Sequence, residues 1–435
     1  LLKPMKTNIF FLFCSLLLGT TLAHGGVIMV SPGQSVQAAV NGASSGDTIR
    51  ISEGVYSENI SISEKSLSLV VQPGDSVQVN NITASNSNSV QRSLYLKNLR
   101  IQGYVNGTSH DFNIQSCNIT GDVNVDQGSL TIIKSNIGAN LSLNHSQRLG
   151  NPTQAQIFQS TIPEKLTCKA GISIIGYNTI RNAFIEGNSK ILGNDFDGNS
   201  FFGIGIDVNG SQTYARIQNN RISGYNVSNE TNFDSKCIGI RITGNAKADI
   251  TNNIVSDCYD NHYLGTEYKS GIGIFVESTN GTTIIGNAIW GCFIRDGTGN
   301  SPGNRLVWAP FANVVFKNNF LWRSNSLQDA NNYGFGGGVE SVDNILESNT
   351  NANPFIGNGD YSLKANSPLI NAGSPLPQYN DRNGSRNDIG MFGGHNYIPD
   401  GRTTNKPIVL GLDVAPIAVP VGGSVTIEST GATAK

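Results

Sequence analysis

Four stretches decide the fold: IQNNRI at residues 217–222, ITNNIV at 250–255, IIGNAI at 284–289 and FKNNFL at 316–321. Each joins an apolar residue, a short polar turn containing Asn, and a second apolar residue. The pattern recurs, with Asn in all but IFQSTI, as LKNLRI (96–101), IQSCNI (114–119), IIKSNI (132–137), IFQSTI (157–162) and ILGNDF (191–196). A looser copy, IIGYNTI, lies at 174–180, and VDNIL at 342–346 reads as the last. Leading positions are about 18, 18, 25, 17, 17, 26, 33, 34, 32 and 26 residues apart. A constant motif at variable spacing is the mark of a solenoid, in which the shortest interval is one coil and longer ones add loop.

A further strand precedes the motif in the middle coils: GIGIDV (203–208), CIGIRI (237–242) and GIGIFV (271–276). Alternation of Ile or Val with Gly or polar residues has the period of a strand with one buried face. With a third strand in each coil, the pattern predicts an all-β chain, a right-handed parallel β-helix of about eleven coils. At ~4.8 Å per coil this is a rod on the order of 50 Å long. Asn194, Asn220, Asn253, Asn287 and Asn319 each fall three residues after a leading position, so stacking places them in one column. Their amides are expected to bond from coil to coil. Cys258 and Cys292 share a position too and should stack as buried thiols.

Composition agrees. Only 14% of the 435 residues are charged, against roughly 25% in average proteins, while Gly (50) and Asn (about 53) are abundant. Those two residues disfavour a helical chain, and 38% hydrophobic content with a net charge of −2 disfavours disorder. Near-neutrality gives no drive toward nucleic acid or an anionic membrane. Residues 5–23 (MKTNIFFLFCSLLLGTTLA) read as a secretory signal cleaved after Ala23, with residues 1–4 upstream of the start. No later stretch reaches membrane-spanning length, so a secreted or cell-surface monomer is expected. Five cysteines remain, Cys117, Cys168, Cys237, Cys258 and Cys292, an odd and scattered set that suits free thiols.

An open β-helix needs caps. Residues 31–62 read as a short amphipathic helix carrying Val36, Ala39 and Val40, followed by strands around a Gly46-Asp47 turn and a Gly54 turn. Gly46-Asp47-Thr48-Ile49 and the run from Glu53 to Ile60 closely resemble the N-terminal cap of secreted right-handed β-helix proteins of the pectin lyase-like superfamily. Residues 353–373 and 386–394 resemble the closing segment of secreted bacterial members. The resemblance spans about residues 30–350 and implies the fold. It leaves function open, because that superfamily holds lyases, hydrolases, esterases, epimerases and non-catalytic adhesins. The organisation read from the sequence is a signal peptide (1–23), a capped β-helix (24–400) and a β-rich tail (401–435) that is an Ig-like fragment or a terminal hairpin.

Insertions at 223–237, 256–270 and 290–306 stack beside the strand that follows them, so chemistry is sought there. The outward residues of that strand read Asp207, Arg241 and Phe275, with about Val307 next. Asp207, Arg241 and Lys269 are the catalytic candidates: a uronate lyase needs a basic side chain and a carboxylate clamp. Phe275, Tyr259, His262, Tyr268, Arg295 and Trp308 are the substrate-binding candidates, since aromatic faces stack on sugar rings. Tyr225 and Tyr263 join them on the expected wall. Asp257, Asp260 and Glu267 are candidate calcium ligands, the only cofactor suggested. Each has a plainer reading, as a surface ion pair or a solvated loop. Two classes stand: an exported polysaccharide lyase or hydrolase, and a non-catalytic β-helix that binds cell-surface glycans.

Overall fold

The computed structural model describes residues 25–145, 147–148, 150–200, 203–227, 237–260, 271–294, 303–310, 313–322, 333–335, 340–347, 353–357, 359–399, 401–406, 408–415 and 426–432. Its strands fall into three parallel stacks. The first contains fourteen strands, from Val27–Val30 to Glu340–Val342. The second runs from Gly54–Val55 to Ile345–Glu347. The third runs from Ile60–Ser63 to Tyr333–Phe335. The chain visits them in that order in coil after coil. It is a parallel β-helix, consistent with the right-handed winding expected. Among the described residues no helix is long and apolar enough to cross a membrane.

Register follows the repeat. Leu96, Ile114, Ile132, Ile157, Ile175, Ile191, Ile217, Ile250, Ile284 and Phe316 lie in one column, all buried. One expectation shifts by a residue: the leading position of the loose copy is Ile175, not Ile174. Ile174 turns outward onto Phe158, Tyr177 and Leu192. The shift makes IGYN (175–178) a regular copy and adds Asn178 to the Asn column.

That column is longer than the Asn residues suggest. Asn178, Asn194, Asn220, Asn253, Asn287, Asn319 and Asn344 each accept, through Oδ1, the N–H or side-chain amide of the preceding member. Each donates Nδ2–H to the leading carbonyl of the coil before, as Asn287 does to Ile250 at 2.9 Å. Below Asn178 the hydroxyls of Ser160 and Ser135 continue the chain of bonds down to Cys117 N–H. Burial pushes the Cys117 thiol up to about 12, so it stays protonated. The left-handed backbone sits one residue earlier than expected. Asn98, Ser116, Lys134, Gln159, Tyr177, Asn219, Asn252 and Asn318 have φ of 47° to 60°. The turn thus divides its work: one residue bends the chain and the next bonds along the stack.

The Ile-Gly-Ile pattern shared by residues 204–206, 238–240 and 272–274 is a packing requirement. Pairing between third-stack strands skips Gly205, Gly239 and Gly273. A Cβ on Gly239 would lie 2.6 Å from both Gly273 O and Val255 Cγ1. Beside these glycines Tyr225, Cys258 and Cys292 form a fully buried column, and none of the five described cysteines is in a disulfide.

At the N-terminal end, helix α1 (Val36–Gly42) buries Val36 and Val40. Ser35 caps it at Ala38 N–H, and Glu58 accepts from Val36 N–H, Gln37 N–H and Ser35 Oγ–H. Burial raises the Glu58 carboxyl pKa, but these bonds outweigh it and leave the group below its ordinary value.

The expected closing segment lies along the flank of the helix. Phe355, Leu369, Ile389 and Met391 cover the outward residues Ile254, Ala288 and Phe320 of the second stack. Residues 387–399 and 401–405 then run back along the left-handed turns as a strap. Asn252 donates to Asp388 O, Asn219 to Met391 O and Gly393 O, Tyr177 to Asn396 O, and Gln159 to Gly401 O and Thr404 O. Lys134 ends the series on Asn405. In the tail, Ile408–Ala415 and Thr426–Ala432 form an antiparallel pair.

Candidate functional site

Strand alternation in the third stack points Ile206, Ile240, Ile274 and Val307 into the core and the residues after them outward. The outward column reads Thr167, Phe184, Asp207, Arg241, Phe275 and Trp308. Trp308 takes the slot expected for Val307, which is buried in register with Ile274. From Phe184 to Trp308 the column climbs four coils, ~19 Å at one strand spacing per coil.

Three kinds of contact follow one another along it. At the lower end Lys165 and Lys169 place their ammonium groups 5.6 and 5.5 Å from the centre of the Phe184 ring. Lys169 also pairs with Glu186 at 3.7 Å, and Arg181 with Glu164 at 2.7 Å. In the middle Arg241 grips Asp207 with both ends of its fork, Nε at 2.8 Å and a terminal nitrogen at 2.6 Å. The bond to Asp207 is the main cause that raises the Arg241 pKa; burial opposes it. Arg241 is therefore a permanent cation, unable to abstract a proton, and Asp207 takes two of its five N–H donors. At the top Phe275 and Trp308 stack, centroids 5.0 Å apart and planes at 18°.

Several expected site residues sit differently. Phe275 is 2% exposed, packed with Ile238 and Ile272 and covered by Trp308, so it supports the face without being an open floor. Tyr225 is wholly buried and its hydroxyl donates to Arg181 O, because the glycine column leaves room for its ring inside. Tyr259 stacks on Phe293 at 5.2 Å, in a small sheet at the root of the long insertions. Of the calcium candidates, Asp257 accepts from Ser223 at 3.2 Å and Asp260 is 7% exposed. Among the described residues no three His, Cys, Asp or Glu side chains gather as metal ligands would. His262, Tyr263, Glu267, Tyr268, Lys269 and Arg295 lie outside the described residues.

Phe184, Lys165 and Lys169 escaped the sequence reading. The signal was present: Phe184 precedes Ile185 as Asp207 precedes Val208 and Arg241 precedes Ile242, but no Ile-Gly-Ile marks its coil.

No protein-family model matches the chain, and no curated protein matches it in sequence. Among solved structures it is similar to the pectate lyase Pel9A, with a TM-score of 0.35 and 16% identity over 86% of this chain and 97% of that one. It is also similar to the PL6 family alginate lyase AlyGC, with a TM-score of 0.38 and 15% identity over 74% of this chain. The chain spans about half (51%) of that alginate lyase. Neither likeness assigns chemistry to a residue here.

Proposed function

We propose that this protein binds a polysaccharide along the outward face of its third strand stack, and that it does so outside the cell. The observation that carries the reading is the column from Phe184 to Trp308, where an aromatic ring, a charged pair and two stacked rings follow one another in consecutive coils. A sugar chain offers apolar ring faces and hydroxyls in alternation, so such a column complements it. Parallel stacking gives a repeated surface for a repeated ligand. Export is supported by the leader-like residues 5–23.

Affinity electrophoresis against alginate, pectate, a glycosaminoglycan and a neutral glucan tests this. The expected result is retardation by at least one polymer, weakened about tenfold or more by Phe184→Ala or Trp308→Ala. Absence of retardation by every polymer, or unchanged retardation in both variants, overturns it.

A second reading is depolymerisation by β-elimination, with Arg241 as carboxylate clamp and Lys269 as base. It is favoured by the permanent charge on Arg241, held in place by Asp207. Unsaturated product should then absorb in the ultraviolet as the polymer is cut, and Lys269→Ala should abolish cutting while binding persists. A polymer that binds and is never cut, with or without calcium, rejects lyase activity and leaves a binding protein.

A further inference from the structure

A second polar cleft lies where the third stack turns into the first, two to five rungs below Phe184 and well apart from the Arg241 pair. Its space is about 90 Å³, and Arg148, Asp111, Gln91, Ser129, Asn151 and Thr153 line it. Arg148 comes from a small antiparallel hairpin, Gln147–Arg148 against Asn151–Pro152. The hairpin is anchored on both sides. Thr153 Oγ1 donates to His145 O at 2.5 Å, His145 pairs with Asp126, and Gln154 N–H donates to Ser129 Oγ at 3.1 Å. The cleft is therefore held by the solenoid itself.

The Arg148 side chain is 11% exposed, yet among the described residues neither terminal nitrogen has a hydrogen-bond partner. Its nearest carboxylate, Asp111, is 3.8 Å away, beyond hydrogen-bond reach. Asp111 is committed elsewhere: Oδ1 accepts Ser129 N–H at 2.8 Å, and Oδ2 accepts the Gln91 amide. A guanidinium removed from water with its donors unmet is costly, and such groups in native proteins call for an explanation. Both terminal nitrogens are themselves buried, so two coplanar acceptors in the cleft would meet them by a small turn of the fork toward it. Ser129 Oγ, which accepts from Gln154, still has its own hydrogen to give.

We propose that the Arg148 cleft is a binding site for a carboxylate, held by two parallel N–H bonds from the guanidinium and steadied by Ser129. A carboxylate supplies two coplanar acceptors at the spacing of the Arg fork, and it brings no donor to compete. Asp111 lowers the affinity by its charge, but its oxygens face the Ser129 amide and the Gln91 side chain. The site stands independently of the Phe184–Trp308 face, so either can fail without the other.

The test is thermal and calorimetric titration of the full chain at fixed ionic strength, with galacturonate, galactose and acetate as probes. Galacturonate should raise Tm saturably and galactose should not. An equal response to acetate assigns the site to carboxylates in general; a response to galacturonate alone assigns it to a sugar-borne carboxylate. Arg148→Gln should remove the response with an unchanged far-UV spectrum. If that variant does not fold, Arg148→Lys keeps the charge, loses the fork and should bind at least tenfold more weakly. No saturable response in the unaltered protein, which would leave the cleft to water, overturns the proposal. So does an undiminished response in Arg148→Gln or Arg148→Lys.

Discussion

At the scale of single residues, the Asn column carries weight out of proportion to its size. Asn287 makes bonds to Asn253, Asn319 and the Ile250 carbonyl, all out of water. Replacing it with Ala orphans buried donors and acceptors on two neighbouring coils. Each orphan costs about 1–3 kcal/mol, so Asn287→Ala is expected to lose about 2–4 kcal/mol in urea unfolding. His110 gives a second prediction. It is fully buried, with Nε2 2.9 Å from Lys65 O, and burial is the largest cause lowering its pKa. Arg148 lowers it further, while the bond to Lys65 and the charges of Asp111 and Glu64 oppose. As pH falls through about 6.5, the unfolded chain gains a proton that the folded chain refuses. Stability held above that pH is therefore lost below it. Melting temperature followed from pH 7.5 to 5 should fall less in His110→Asn than in the unaltered protein. Parallel curves would mean that another group governs the acid side.

At the scale of elements, the strap decides how the coils behave together. Its bonds come from side chains on left-handed turns, above all Asn219, Asn252 and Gln159. Arg402 adds an ion pair to Asp195 at 3.1 Å. Removing Asn219 and Asn252 side chains together should loosen the strap while the β-helix stays formed. Limited trypsin digestion should then cut at Arg386 and Arg402 several-fold faster, with an unchanged far-UV spectrum. An unchanged rate would place the strap's hold in its apolar contacts. The sequence made the β-helix and the Asn column legible because like residues recur at one spacing, and stacking turns spacing into contact. Ser135 and Ser160 were hidden in that column because Ser looks like any turn residue. The strap was hidden for a different reason: it has no repeat, and its anchors resemble ordinary turn formers. At the candidate site the Ile-Gly-Ile strands revealed Asp207, Arg241 and Phe275. They could not reveal that Phe275 is covered, because its cover, Trp308, arrives from the next coil in a strand without that marker.

At the scale of the whole molecule, a solenoid gains stability from neighbouring coils, and nothing forces its two ends to unfold together. The strap changes that for part of the chain. Among the described residues its hydrogen bonds reach from Lys134 to Gly286, and its apolar contacts extend to Phe320. The hydrogen bonds described join it to the coils from Lys134 onward. The strapped coils should therefore open as one block, and the earlier coils should open separately and first. All three tryptophans, Trp290, Trp308 and Trp322, lie in the last coils. Tryptophan fluorescence thus reports on the block, whereas far-UV circular dichroism reports on every strand. In urea the dichroism should fall in two steps, the first silent in fluorescence. Asn219→Ala with Asn252→Ala should lower the fluorescence midpoint and leave the first step in place. Superimposable fluorescence and dichroism curves would show a single cooperative unit, with coupling through the stacked core outweighing the strap.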